Sequence, residues 1–191
     1  MKFPRLLPGL LLVLTGCRML QPVKDSAVYH VLDSRVPDRI LTAATPAVAV
    51  NRPWLPTYLD RPEVVDHRGG QLQISRVDLW AEPLGTAIAR VTANNLSRLT
   101  GSLNIHPVEQ FTTLDYTKLL ELKITRFEPD VSGQIILQGT WKLQPVTGQE
   151  TSARFFRIEV PVAATAAPMG GRVAAMNLAL ERLARQIVSE K

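Results

Sequence analysis

The chain holds one cysteine, Cys17, in 191 residues, so no disulfide can form within it and stability must come from an apolar core. Its hydrophobic share of 46% is enough for that. The three histidines, His30, His67 and His106, stand apart, with no His-x-x-x-His or His-Glu-x-x-His spacing, and no metal site is expected. A Gly-x-Ser-x-Gly elbow and a phosphate-binding loop are both missing, and Gly69-Gly70 and Gly170-Gly171 are isolated pairs rather than a dinucleotide fingerprint. No catalytic residue can be named, and the chain reads as a non-enzyme without a cofactor. Lysine and arginine total 22 against 17 acidic residues and are dispersed, so no nucleic-acid footprint is present. The first apolar run is broken by Pro4, Pro8 and Gly9 and is too short to span a bilayer.

That run is nonetheless the most informative part of the chain. A basic start, an apolar stretch and small residues before a cut describe a signal peptide over 1–16. Leu14, Thr15 and Gly16 directly before Cys17 form a lipobox, in which the thiol accepts a diacylglyceryl group and the new amino terminus is acylated after cleavage. Several acyl chains would keep the product on its membrane, since each buried methylene adds about 0.8 kcal/mol. Loss of Lys2 and Arg5 with the signal lowers the formal charge from +5 to +3. Arg18 replaces the aspartate usual for inner-membrane retention, which favours the periplasmic face of the outer membrane. Residues 17–26 read as the lipidated cysteine and a short tether, and 27–191 as a single domain.

Along the domain, 27–32 and 47–50 read as short strands. Pro53, Pro56 and Pro62 then forbid a helix or central strand over 51–62, which is expected to be an ordered loop with a turn at 56–60. Strands at 63–66 and 72–77 around Gly69-Gly70 make a hairpin. Trp80 to Leu84, with Pro83, opens a helix whose Leu84, Ile88, Val91, Asn95 and Leu99 share one face until Gly101 ends it. Leu120, Leu122 and Ile124, and then Ile135, Leu137, Gly139, Trp141 and Leu143, alternate with mostly polar residues as antiparallel strands do. A strand at 153–162 and a helix at 172–189, with Val173, Met176, Leu180, Leu183, Ile187 and Val188 at helical spacing, complete an α/β (α+β) sandwich: a mixed, largely antiparallel sheet packed by two main helices.

Among the aromatics, Trp141 falls on an inward strand position and reads as core. Trp54 and Tyr58 sit in the proline-rich loop, where periodicity cannot decide between plugging the domain and meeting a partner. Asp60, Arg61 and Glu82 read most simply as solvated or paired surface groups.

The lipobox, Tyr29-His30-Val31-Leu32, the run from Val48 through Tyr58-Leu59-Asp60-Arg61-Pro62, Trp80-Ala81-Glu82-Pro83-Leu84 and Asn95-Leu96 together resemble the ABC-type transport auxiliary lipoprotein family, its PqiC-like or YmbA-like group. The resemblance implies an outer-membrane lipoprotein facing the periplasm and serving an MCE-domain protein that spans the periplasm from an inner-membrane permease, in a system moving lipids or other hydrophobic molecules. It also implies a non-catalytic role and an α/β sandwich. Because MCE assemblies are oligomeric, a homo-oligomer, such as a ring, is expected. Trp54, Tyr58, Asp60, Arg61, Trp80 and Glu82 are the candidate interface with the partner or between subunits. Two other readings stand beside this one: a carrier that holds lipid in an apolar cavity of its own, and a structural factor for envelope assembly.

Overall fold

The computed structural model describes residues 26–42, 46–110, 116–149, 151–163 and 168–190. The lipobox at 14–17 and nearly all of the tether lie outside the described residues. The elements run β1 (Val28–His30), β2 (Val48–Val50), β3 (Glu63–Arg68), β4 (Gln71–Trp80), α1 (Leu84–Thr100), β5 (Ile105–Pro107), a 3-10 turn (Val108–Gln110), β6 (Lys118–Pro129), β7 (Ile135–Pro145), β8 (Arg154–Val160) and α2 (Pro168–Glu190).

The expected α+β class is found, with the strands divided between two sheets. In the smaller, β4 lies between a parallel β1 and its antiparallel hairpin partner β3. In the larger the order is β5-β2-β6-β7-β8, with β2 parallel to both neighbours and β6, β7 and β8 antiparallel. The division falls at the segment with Pro53, Pro56 and Pro62, whose missing amide donors cannot continue a ladder. Pairing alongside β6 persists only to Trp54, whose amide donates to the Leu122 carbonyl while its own carbonyl accepts from Ile124, both within 3.0 Å.

Both helices pack on the larger sheet and on each other, α1 over β2 and β5, α2 over β7 and β8. The face expected for α1 is buried at Leu84, Ile88, Val91 and Asn95, and half-buried at Leu99. Gly101 ends the helix in the left-handed region at φ 74°, a conformation that glycine adopts without a Cβ penalty, and its amide closes on the Ser97 carbonyl at 2.7 Å. Helix α2 begins four residues before the expected start, at Pro168, a residue suited to a first turn. Its Arg172 reaches both carboxylate oxygens of Asp66 on β3 at 2.7 and 2.8 Å, linking the helix to the smaller sheet. Trp80 differs from the sequence expectation. It closes β4 rather than opening α1, and is only 6% exposed.

Alternation in the β6–β7 hairpin holds from Leu120 to Ile124 and then slips, because the register shifts between Ile124 and Arg126. Beyond the bulge Phe127, Glu128 and Pro129 are buried in succession, as are Ile135, Ile136 and Leu137 opposite them. That end of the hairpin is therefore covered on both faces.

Candidate functional site

The proline-rich segment folds as an ordered loop with the expected turn, the Leu59 and Asp60 amides both donating to the Pro56 carbonyl. Leu55 and Leu59 are buried and pin it to the core. The loop is thereby brought against the end of β4 and the start of α1, where the Trp80 amide donates to the Pro62 carbonyl at 2.7 Å. A cleft of about 440 Å³ opens there, lined by Arg52, Asp60, Arg61, Pro62, Trp80, Ala81, Glu82 and Pro83. Four of the six candidate interface residues, Asp60, Arg61, Trp80 and Glu82, thus come together from two separate stretches of sequence.

Each charge in the cleft is held by a partner. Arg52 Nη2 donates to Asp60 at 2.9 Å, and Arg61 Nε to Glu63 at 2.8 Å. The hydrogen bond from Arg61 keeps the Glu63 carboxyl below its usual range. Glu82 Oε1 accepts from Arg90 Nη2 at 2.5 Å, and the same nitrogen reaches the Leu32 carbonyl, so Glu82 also braces α1 against the chain following β1. Trp80 forms an apolar wall of the cleft from a buried position. Sequence reasoning missed Arg52, Glu63 and Arg90. Arg52 belongs to the loop already singled out, and the following glycine signals it: an added Cβ on Gly85 would stand 2.7 Å from Arg52 Nε, so the arginine lies across the first turn of α1.

Trp54 and Tyr58 are not part of this cleft. Trp54 is 55% exposed and carries the Lys123 ammonium 5.2 Å from its ring centroid. It lines a neighbouring hollow of about 320 Å³ with Lys123, Thr140 and Lys142, and Arg52 borders both. Tyr58 turns inward, its hydroxyl donating to the Thr125 carbonyl and sharing a contact with Glu128 Oε2, each at 3.3 Å. The open question is answered differently for the two rings: the tyrosine secures the loop and the tryptophan is presented.

Burial, the Glu128 charge and the hydrogen bond to it raise the Tyr58 pKa from 10.0 to about 12. A phenol whose folded pKa is raised contributes its full stabilisation below pH about 10 and loses it as pH climbs to about 12. In an ultraviolet absorbance titration one phenol should ionise at about pH 12, and Tyr58→Phe should remove that step and flatten the loss of stability over this interval. A variant with the wild-type titration curve would refute the contact.

Among the described residues no group of three or more histidine, cysteine or acidic side chains could hold a metal ion. The cavity between β3, β6 and α2, lined by Leu59, Val64, Trp80, Phe127 and Met176 with Glu63, Asp66 and Arg172, measures about 10 Å³. That is scarcely the space of one water. No described helix is long and apolar enough to cross a membrane.

Residues 30–188 match the family described as ABC-type transport auxiliary lipoprotein component. Two crystal structures share the fold. One, of an uncharacterized protein, is 22% identical, with a TM-score of 0.68 over 86% of this chain and 97% of that one. The other, from Xanthomonas campestris and assigned to the family DUF330, is 19% identical, with a TM-score of 0.68 over 85% and 93% of the two chains. No curated protein matches.

Proposed function

This chain belongs to the ABC-type transport auxiliary lipoprotein family, and from that membership we propose that it is a non-catalytic accessory which, anchored through Cys17 to the periplasmic face of the outer membrane, docks an MCE-domain partner. That partner would reach across the periplasm from its inner-membrane permease, and copies of the present chain would gather around its far end as a ring. Such repetition multiplies a modest single contact, because each further copy binds at the high effective concentration set by the first.

The observation that carries this reading is the convergence of Asp60, Arg61, Trp80 and Glu82 on one cleft with Arg52, beside an exposed Trp54. Arginine and tryptophan are the side chains most enriched among residues that dominate binding energy. The charges are already oriented by neighbours, so a partner meets a preformed surface.

The test is cross-linking in the native host, purification of the full-length lipoprotein in mild detergent, and mass spectrometry of what accompanies it. An MCE-domain protein with its permease is expected. Replacing Asp60 and Arg61 together by alanine should weaken that recovery about thirtyfold or more, as for a binding hot spot. Folding should be retained, because exposed ion pairs contribute little to stability. Unchanged recovery would assign the docking surface elsewhere, and recovery of phospholipid alone would favour a carrier.

A further inference from the structure

The β1 edge of the smaller sheet carries apolar side chains that no described element covers. Tyr29 and Val31 are 61% and 52% exposed, and Val77, two residues before the β4 partner of Tyr29 and on the same face, is exposed as well. Tyr29 and Val31 are two residues apart and share a face of the extended chain, and Leu79, the β4 partner of Tyr29, is half-buried beside them. Single exposed apolar residues are ordinary, whereas a contiguous strip on an edge strand marks a contact.

What the strip contacts follows from its place in the chain. Val28 lies eleven residues beyond Cys17. A chain of that length reaches at most ~38 Å when fully extended and averages ~18 Å as a coil, against ~40 Å for the width of a domain of this size. On average β1 is held within about half the domain's width of the surface where the acyl chains enter, and at full stretch within about one width. No other element is so confined by the chain.

We infer that Tyr29, Val31 and Val77 rest on the lipid bilayer that carries the anchor, and that strip and anchor together set the orientation of the domain. The inference depends on Cys17 bearing the lipid. Tyrosine suits the place, with an apolar ring and a hydroxyl that stays among headgroups. Orientation matters for docking because the Ala81 amide donates to the His30 carbonyl at 2.9 Å, so the cleft is joined directly to β1. A membrane-seated β1 holds the cleft at one angle, and a ring of copies requires a common angle.

The experiment uses the full-length chain in vesicles of phosphatidylethanolamine with a minor share of phosphatidylglycerol, carrying bimane on Tyr29→Cys or, in the exposed β6–β7 turn, on Val131→Cys. Both positions are exposed, so neither substitution disturbs the core. Quenchers on the lipid acyl chains should extinguish the label at position 29 several-fold more than that at 131, and iodide in the water should show the reverse. Equal lipid quenching at the two positions overturns the inference. So does protection of position 29 from both quenchers, which would mean that a second copy or a partner protein covers the strip. The unmutated chain is the control on the anchor: if it takes up bimane at Cys17 and fails to float with the vesicles, the anchor falls and the inference with it. If it floats unlabelled and position 29 stays in water, only the inference falls.

Discussion

Gly139→Ala is expected to cost upward of about 4 kcal/mol and to lower the thermal midpoint of the domain by about 10 °C, followed by circular dichroism. An ideal Cβ at Gly139 would stand 2.0 Å from the Lys123 carbonyl oxygen and 3.0 Å from the Ile124 Cα, both backbone atoms of the paired strand. Neither can rotate aside, so β6 and β7 would have to separate at the centre of the larger sheet. Gly85→Ala supplies the contrast. The obstacle there is the Arg52 side chain, which can swing away, and alanine favours the helix, so stability should change by less than about 1 kcal/mol while Arg52 leaves its place in the cleft. A Gly139→Ala protein as stable as Gly85→Ala would refute the crowding argument.

Gly139 also shows where the sequence could be read and where it could not. Its alternation with Leu137 and Trp141 places it facing inward, and it does pair with Ile124 on that face. What period-two patterning does not reveal is that the partner strand bulges immediately afterwards, although an isolated glycine within a strand is the usual local trace of such a feature. The bulge breaks the inside-outside rule for the residues that follow: alternation from Leu120, Leu122 and Ile124 would carry on inward to Glu128, but the shifted register sets Phe127 opposite Leu137 and Glu128 opposite Ile136 on the other face, where its carboxylate is nonetheless buried. The long periodic elements, α1, α2 and the β6–β7 hairpin, were legible because their buried faces repeat. Strand β5 is three residues long, and its pairing with β2 is a tertiary event with too few positions to leave a period.

The candidate site was legible in part for a similar reason. Asp60, Arg61, Trp80 and Glu82 carry no periodicity, and the resemblance of their two stretches to one family singled them out. Tyr58 turns inward onto Thr125 and Glu128, and the bulge decides which face of β6 Glu128 takes. Tyr58 therefore could not be separated from Trp54 by inspection of their shared proline-rich loop. Arg52 becomes recognisable only once α1 is placed, since it is the helix start that brings Gly85 beneath it.

Arg126→Met should destabilise the domain by about 3–5 kcal/mol, because it strands a carboxylate with no solvent access. Glu128 Oε1 receives Arg126 Nε at 2.8 Å, while Oε2 accepts from the Phe127 amide at 2.8 Å and meets the Tyr58 hydroxyl. Removing the arginine leaves the charge buried with only neutral donors. Adding Glu128→Gln to Arg126→Met should restore more than half of the loss, since the amide oxygen still accepts from Phe127 and no charge remains to be solvated. The double variant separates an uncompensated charge from lost packing of the arginine stem, which both variants share. The consequence extends to the cleft: Tyr58 rests on Glu128, and the loop that Tyr58 secures carries Asp60 and Arg61. Denaturant unfolding of the single and double variants measures the first effect, and recovery of the docking partner measures the second. A single variant within about 1 kcal/mol of the parent would mean that the domain stabilises this carboxylate without its arginine.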